Sequence, residues 1–140
     1  MSNKPVRIYI DGIFDLFHRG HLDVLRKAKE FRQNSTLIVG IISDQDASEY
    51  KRPPIYNEED RYLIINSIKY VDEVVFAAPL VITKEFIKKH NIDIVLHSFS
   101  NLADLENQKI FTKEIDDIFH VIPYNSCIST SGLIEKIKKI

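Results

Sequence analysis

Cysteine is nearly missing from this 140-residue chain. Cys127 stands alone, so neither an internal disulfide nor a cysteine-rich zinc site can form. Tryptophan is absent, and glycine (4) and proline (5) are scarce, so each one that occurs invites a local reason. No run approaches the roughly 18 apolar residues of a membrane-spanning helix. Neither sign of charge dominates. With 19 basic side chains against 20 acidic, the net charge of −1 excludes the strongly basic footprint of a general nucleic-acid binder and leaves room for a local basic pocket. The opening Met1-Ser2-Asn3-Lys4-Pro5 leads straight into a strand-like segment with no signal-peptide core, so a reducing cytoplasmic location is expected.

What remains is the composition of an ordinary globular protein, 44% hydrophobic and 28% charged. At roughly 150 residues per domain, the length predicts a single domain over residues 1–140. Short β-branched runs alternate with helical patterns. Strands are expected at Val6–Ile10, Thr36–Ile42, Asp72–Ala77, Ile92–Leu96 and Phe119–Pro123. Helices are expected over His21–Phe31, from the N-cap Asn57 to about Lys69, and over Thr83–His90. A last helix follows Ser129-Thr130-Ser131, with Leu133, Ile134, Ile137 and Ile140 facing inward. Ser43–Tyr56 reads as a polar loop, and Ser98–Asp117 as loop with a short helix. This alternation argues for an α/β fold: a Rossmann-like, doubly wound, five-stranded parallel sheet with helices on both faces. Such sheets bind ligands beyond the C-terminal ends of their strands, which directs attention to Asp11–His21, Ser43–Lys51, His97–Asn101 and Tyr124–Thr130.

The first of these stretches carries the most chemistry. Gly12-Ile13-Phe14-Asp15 and His18-Arg19-Gly20-His21 lie between a predicted strand and a predicted helix. A helix N-terminus offers free N–H groups and the positive end of a dipole, which suits phosphate. Two imidazoles three residues apart lie on one side of the first turn and can donate to phosphate oxygens, more strongly when protonated. Gly20 lets the backbone come close to a ligand. Alone, His18 and His21 would read as surface residues near a cap, but the strand–turn–helix setting favours a phosphate site. Ser129-Thr130-Ser131 presents the same orphan N–H groups at the last helix. His90 and His120 read as structural or solvated.

In this order and spacing the motifs resemble those of the cytidylyltransferase family, the enzymes that make CDP-alcohols from CTP and a phosphorylated alcohol. Besides G-x-F-D and H-x-G-H, the matching residues are Lys51 with Arg61 ten positions later, Tyr70-Val71-Asp72-Glu73-Val74-Val75, and Ile128-Ser129-Thr130-Ser131. The likeness runs from Val6 to Ile137. Lys51-Arg52-Pro53-Pro54, Asp60-Arg61-Tyr62 and the stretch from Val74 to Pro79 look most like the ethanolamine-phosphate members. The resemblance implies transfer of CMP from CTP to phosphoethanolamine, giving CDP-ethanolamine and pyrophosphate for phospholipid-precursor synthesis. It implies that His18 and His21 stabilise the triphosphate and the transition state, and that Lys51 bridges the acceptor phosphate and the α-phosphate. Ser129 and Thr130 would hold the outer phosphates, with Gly12, Ile13, Phe14, Asp15, Gly20, His97, Ser98 and Ile128 completing the nucleotide site. Arg61, Leu80 and Phe99 join Lys51 on the acceptor side; for Arg61, a structural pairing with Glu58 or Asp72 is an equal reading. Mg²⁺ would be bridged by substrate phosphates and water rather than held by a protein metal site. A homodimer is implied around Tyr70–Asp72, with neither nucleic acid nor membrane as partner.

Three positions depart from the family pattern. Ser98 stands where many relatives carry an acid that helps read cytosine. Tyr124-Asn125-Ser126-Cys127 replaces an R-T-x-G segment, so an arginine near the triphosphate is missing. Leu80 stands where relatives often carry Trp or Tyr, which disfavours an aromatic choline cage in that form. These departures keep four alternatives open: phosphocholine or glycerol 3-phosphate as acceptor, ATP as donor, or a catalytically weakened nucleotide-binding relative.

Overall fold

Side chains on β1 (Val6–Gly12) alternate, sending Ile8 and Ile10 to one face of a sheet and Tyr9 to the other. The computed structural model, which describes residues 3–99, 101–123 and 128–140, builds two cores on that alternation. On the first face, Ile8 and Ile10 pack with Leu37 and Val39 of β2 (Ser35–Ile42), Leu25 and Ala28 of α1 (Arg19–Lys29), and Ile65 of α3 (Glu58–Asn66). On the second, Tyr9 packs with Ile38, Ile82, Ile115 and Phe86 of α4 (Lys84–Lys89). β2 is buried without a break from Leu37 to Ile42, as a strand covered on both faces must be.

With β3 (Glu73–Ala78), β4 (Ile94–His97) and β5 (Phe119–Val121), the sheet has five parallel strands in the order β3-β2-β1-β4-β5. The expected α/β architecture is therefore observed. The winding direction reverses between β1 and β4, and adjacent connections depart to opposite sides there, opening a crevice at the strand ends.

Several elements differ from the sequence reading. Residues read as loop form α2 (Asp44–Tyr50), whose N-cap Ser43 accepts from the Asp46 N–H at 3.1 Å. Only Ala47 of that helix is buried, so it has no apolar period. α3 stops at Asn66, short of Lys69, because Ser67 caps it and the chain turns through the bond from the Val71 N–H to the Ile68 carbonyl. α5 (Leu102–Gln108) leads into two 3₁₀ turns over 109–118. α6 (Thr130–Lys138) begins at the expected cap, but Ile137 and Ile140 are exposed rather than inward. The helix is tied down at its first turn, and no residue in it is fully buried. At the end of β3 the register shifts opposite Gly40–Ile42 and Ala77 adopts φ 53°, a bulge that buries Ala78 and leads Pro79 and Leu80 toward the strand ends.

Candidate active site

A cavity of about 590 Å³ lies beyond the C-terminal ends of β1, β2 and β4. The loop after β1 supplies Gly12, Ile13, Phe14 and Asp15, and the first turn of α1 supplies His18, Gly20 and His21. Lys51 and Arg52 follow α2, Leu80 follows the β3 bulge, and His97 and Ser98 end β4. Ser129, Thr130 and Ser131 close the far side. Thirteen of the residues singled out from sequence thus share one cavity. Ile128 stands just behind it, its Cγ2 3.3 Å from where a Cβ on Gly20 would lie.

The two histidines form a reciprocal cap on α1. His18 is the N-cap, and its Nδ1 accepts from the Gly20 N–H at 3.0 Å; His21 Nδ1 accepts from the His18 N–H at 3.2 Å. A neutral imidazole that accepts at Nδ1 carries its proton at Nε2. Each ring is therefore fixed as an Nε2–H donor by the helix it caps. Burial lowers the His18 pKa, and burial, reinforced by His18, lowers that of His21 to about 3 against a smaller opposing pull from Asp15. Both rings are neutral near pH 7, stacked with centroids 3.9 Å apart, so the protonated donor considered from sequence is not the resting form. Gly20 also has a different reason from the expected one. A Cβ there would meet His18 Cε1 at 2.8 Å, so the glycine makes room for the imidazole.

Asp15, buried at 5% exposure, turns its carboxylate into the protein. It accepts from the N–H groups of Leu16, Ile55 and Tyr56 at 3.1, 2.7 and 2.9 Å. Its own carbonyl accepts from Thr130 Oγ1 at 3.0 Å. One residue thereby joins the first loop, the α2–α3 connection and the start of α6. Phe14 and Leu16, flanking it, adopt φ 56° and 47°, a left-handed backbone that costs non-glycine residues of order 1 kcal/mol each. At α6, Ser129 Oγ accepts from the Gly132 N–H, and the Thr130 hydroxyl proton is committed to Asp15. Thr130 and Ser131, whose backbone N–H groups belong to the unpaired first turn at the positive end of the helix, line the cavity.

Besides Ile128, two sequence-assigned site residues do not line this cavity. Arg61 is fully buried behind it. Its guanidinium donates to the carbonyls of Tyr56, Ile13 and Ile42 and to Asp44 Oδ1 at 2.7 Å, so its partner is neither Glu58 nor Asp72. A five-donor fork on a buried floor satisfies carbonyls that a loop cannot pair with itself. Phe99 lines a second hollow with Leu105, Ile110 and Phe119, its ring edge-on to that of His97 at 5.8 Å. At the floor, His97 Nε2 lies 2.8 Å from Asp11 Oδ1, yet the contact is not aligned as a hydrogen bond. Neither His97 ring nitrogen, nor the buried Ser98 Oγ, has a hydrogen-bond partner among the described residues. Unpaired buried polar atoms facing a cavity are places for the polar atoms of a ligand.

Sequence reasoning missed one wall. Tyr50, Asp104, Gln108 and Phe111 line the cavity from α2 and from the segment after β4. The Tyr50 hydroxyl is hydrogen-bonded to the Gln108 side chain, and Gln108 Nε2 donates to Asp104 Oδ1 at 2.8 Å. The signal for α2 was present, since Ser43 followed by Asp44 and Asp46 repeats the capping logic of Asn57. For α5, Asn101 caps the Asp104 N–H in the same way, but no apolar stripe marks the helix. Among the described residues no three His, Cys, Asp or Glu side chains converge to hold a metal ion. Asp15 is committed to backbone N–H groups and Asp11 is set against His97, so these carboxylates do not fit a protein-held cation. Among the described residues no helix is long and apolar enough to cross a membrane.

The profile of the Cytidylyltransferase-like family matches residues 9–136. Choline-phosphate cytidylyltransferase A of Mus musculus is 40% identical over 136 residues, covering 96% of this chain and 37% of that protein. Ethanolamine-phosphate cytidylyltransferase of Dictyostelium discoideum is 40% identical over 137 residues, covering 97% of this chain and 38% of that protein. The chain thus spans well under half the length of these relatives. Among solved structures, the lipopolysaccharide core biosynthesis protein from Thermoplasma volcanium GSS1 superposes with a TM-score of 0.66 at 20% identity over 86% of this chain and 96% of that one, a likeness of fold.

Proposed function

The chain belongs to the cytidylyltransferase-like family, and we propose that it transfers CMP from CTP to phosphoethanolamine, releasing pyrophosphate and CDP-ethanolamine. The observation that carries this reading is the convergence, on one cavity, of two helix N-termini, two Nε2–H imidazoles and Lys51. An oxygen of the acceptor's phosphate attacks the α-phosphorus of CTP. The new P–O bond forms as the bond to the bridging oxygen of the β-phosphate breaks, and pyrophosphate leaves in line. The attacking phosphate is anionic near neutral pH, so no general base is required, and catalysis rests on placement and charge neutralisation.

In this reading His18 and His21 donate from Nε2 to phosphate oxygens whose charge grows in the transition state. The N–H groups of Thr130 and Ser131 hold the outer phosphates, and Lys51 bridges acceptor and α-phosphate. The arginine missing before Ile128 lies at 124–127, outside the described residues. Arg52 supplies a guanidinium instead, its Nη1 3.3 Å from Ser131 Oγ at the mouth of the cavity. His97 and Ser98, with unpaired polar atoms, meet the cytosine base. Mg²⁺ would be carried by substrate phosphates and water rather than by protein carboxylates, and would supply charge neutralisation. The edge strand β3 exposes Phe76, with Tyr62 packed on it and Leu63 exposed nearby, which supports pairing with a second copy in a cytoplasmic homodimer.

The test is pyrophosphate release, crossing CTP and ATP against phosphoethanolamine, phosphocholine and glycerol 3-phosphate, with Mg²⁺ and with chelator. Release with CTP and phosphoethanolamine, lost with chelator, is expected. Release with ATP alone, or with none of the pairs, overturns the reading.

A further inference from the structure

We propose that the second hollow is an effector site, one that takes a small carboxylate with an aromatic tail and transmits its occupancy to the cavity at the strand ends. The hollow has a volume of about 400 Å³, within the range of small-molecule sites. Phe99, Phe119 and Leu105 make its apolar side, and all three are only half-buried. The Phe99 and Phe119 rings stand 6.3 Å apart and are inclined at 52°, an arrangement that can receive the edge of a third ring. Two lysines and one carboxylate lie at the rim. Lys109 is paired with Glu106 at 2.8 Å and also feels the charge of Asp116. Lys113 forms no ion pair among the described residues, so its ammonium is the charge left for a ligand. An anionic head at Lys113, with an aromatic tail against the two phenylalanines, matches both parts of the hollow.

The transmission rests on the transfer reading above and on two structural links. The first is a shared partition, made of α5 and the 3₁₀ turn that follows it. Asp104, Gln108 and Phe111, at helical spacing, line the strand-end cavity, whereas Leu105, Lys109 and Ile110 line the hollow. One segment thus presents a wall to each on its two faces. No residue of α5 is fully buried, and an element with so little buried surface shifts at low cost. The second link is aromatic. His97, at the floor of the cavity, has both ring nitrogens unpaired among the described residues. Its ring meets Phe99 edge-on at 5.8 Å and Phe119 edge-on at 5.5 Å. A ring held in the hollow packs on both phenylalanines and steadies α5. The nucleotide then meets a wall that is already ordered, and binds more tightly.

The experiment titrates the intact chain with 4-phenylbutyrate and follows the NMR shifts of the protein. The controls are 4-phenylbutylamine (same tail, opposite charge) and butyrate (same head, no ring). Saturable binding of 4-phenylbutyrate with a Kd of order 1 mM is expected, with the amine about 5-fold weaker and butyrate weaker still. Lys113→Gln, at an exposed position, weakens 4-phenylbutyrate roughly 3- to 5-fold, the scale of an exposed ion pair. Leu105→Trp, which fills the hollow with an indole, abolishes its binding while the melting temperature stays near that of wild type. CTP with Mg²⁺ is then titrated with and without 4-phenylbutyrate. Its Kd is expected to fall about 5-fold, and the Kd of 4-phenylbutyrate falls by the same factor when CTP is bound. No saturable binding, or binding that survives Leu105→Trp, overturns the site. Weaker CTP binding beside 4-phenylbutyrate marks competition in the strand-end cavity and overturns it as well. An unchanged CTP Kd overturns the effector role. If the chain binds no CTP at all, the transfer reading fails and the effector role with it, while the 4-phenylbutyrate titrations still decide whether the hollow is a binding site.

Discussion

Replacing His18 by Asn separates two roles that one imidazole holds together. The ring accepts at Nδ1 from the Gly20 N–H and donates outward from Nε2. Asn places a carbonyl oxygen near the Nδ1 position and is among the best N-cap residues, so the cap survives while the outward donor is lost. Ala removes both. Loss of an N-cap costs about 1 kcal/mol, which for a chain of this size lowers Tm by about 3–5 °C. Loss of a preorganised donor to a growing phosphate charge costs roughly 10²–10³-fold in kcat. The expected pattern is therefore two-dimensional. His18→Asn melts near wild type and turns over 10²–10³-fold more slowly, whereas His18→Ala loses both. His21→Gln, a residue suited to the reciprocal position of the cap, follows the Asn pattern. Melting curves and pyrophosphate-release kinetics on the same preparations read both axes. Near-normal turnover in His18→Asn, or equal melting temperatures for the Asn and Ala variants, would refute the division of the ring into a capping nitrogen and a reacting one.

Arg61→Lys is expected to cost about 3–5 kcal/mol in urea unfolding, because one ammonium cannot serve three carbonyls and Asp44 on a buried floor; a loss under about 1 kcal/mol would contradict the role given to the fork. His21 binds a proton less readily folded than unfolded, so its contribution to stability is complete above pH 6.5 and falls as pH drops toward about 3. The slope reaches about 1.4 kcal/mol per pH unit, and His18 and His90, also lowered by burial, act in the same direction. Comparing pH 7.5 with pH 5.5 keeps clear of the range in which carboxylates such as Glu73, lowered by Arg7, begin to contribute. His21→Gln should flatten this dependence, and an unchanged slope would place the effect elsewhere.

The sheet was legible because its inner strands are apolar and α1 carries a helical period. β1, β2 and β4 are read within a residue or two, and Asn57 and Ser129 announce their helices through capping chemistry that depends on local sequence alone. The part of the cavity built on two helix N-termini was legible for the same reason: helix N-termini after strand ends are encoded locally. What escaped depends on contacts distant in sequence. Arg61 looks like any helix arginine until Ile13 and Ile42 place their carbonyls beneath it, 48 and 19 residues away. Gly20 looks like a ligand-approach glycine until the His18 ring is seen in the space its missing Cβ leaves. The Tyr50–Gln108–Asp104 wall joins two short helices without apolar stripes, and no periodicity reports such elements.

The bond from Thr130 Oγ1 to the Asp15 carbonyl spans 115 residues, and it bears on how the chain is made as well as on how it works. Domains take shape during synthesis from the N-terminus, at ~5–20 residues per second. The turn at His18–His21 leaves the ribosome well before the last helix. Its counterpart at Thr130 follows some seconds later, and until then Asp15 lacks the partner that couples the two. A bound nucleotide stabilises only the form that can hold it. On the function proposed above, a nascent chain that has not yet reached α6 therefore gains little from free nucleotide, however much is present. Nucleotide rescue of folding is open to it only after α6 has emerged, so its early folding relies on the apolar β1–β2–α1 core alone.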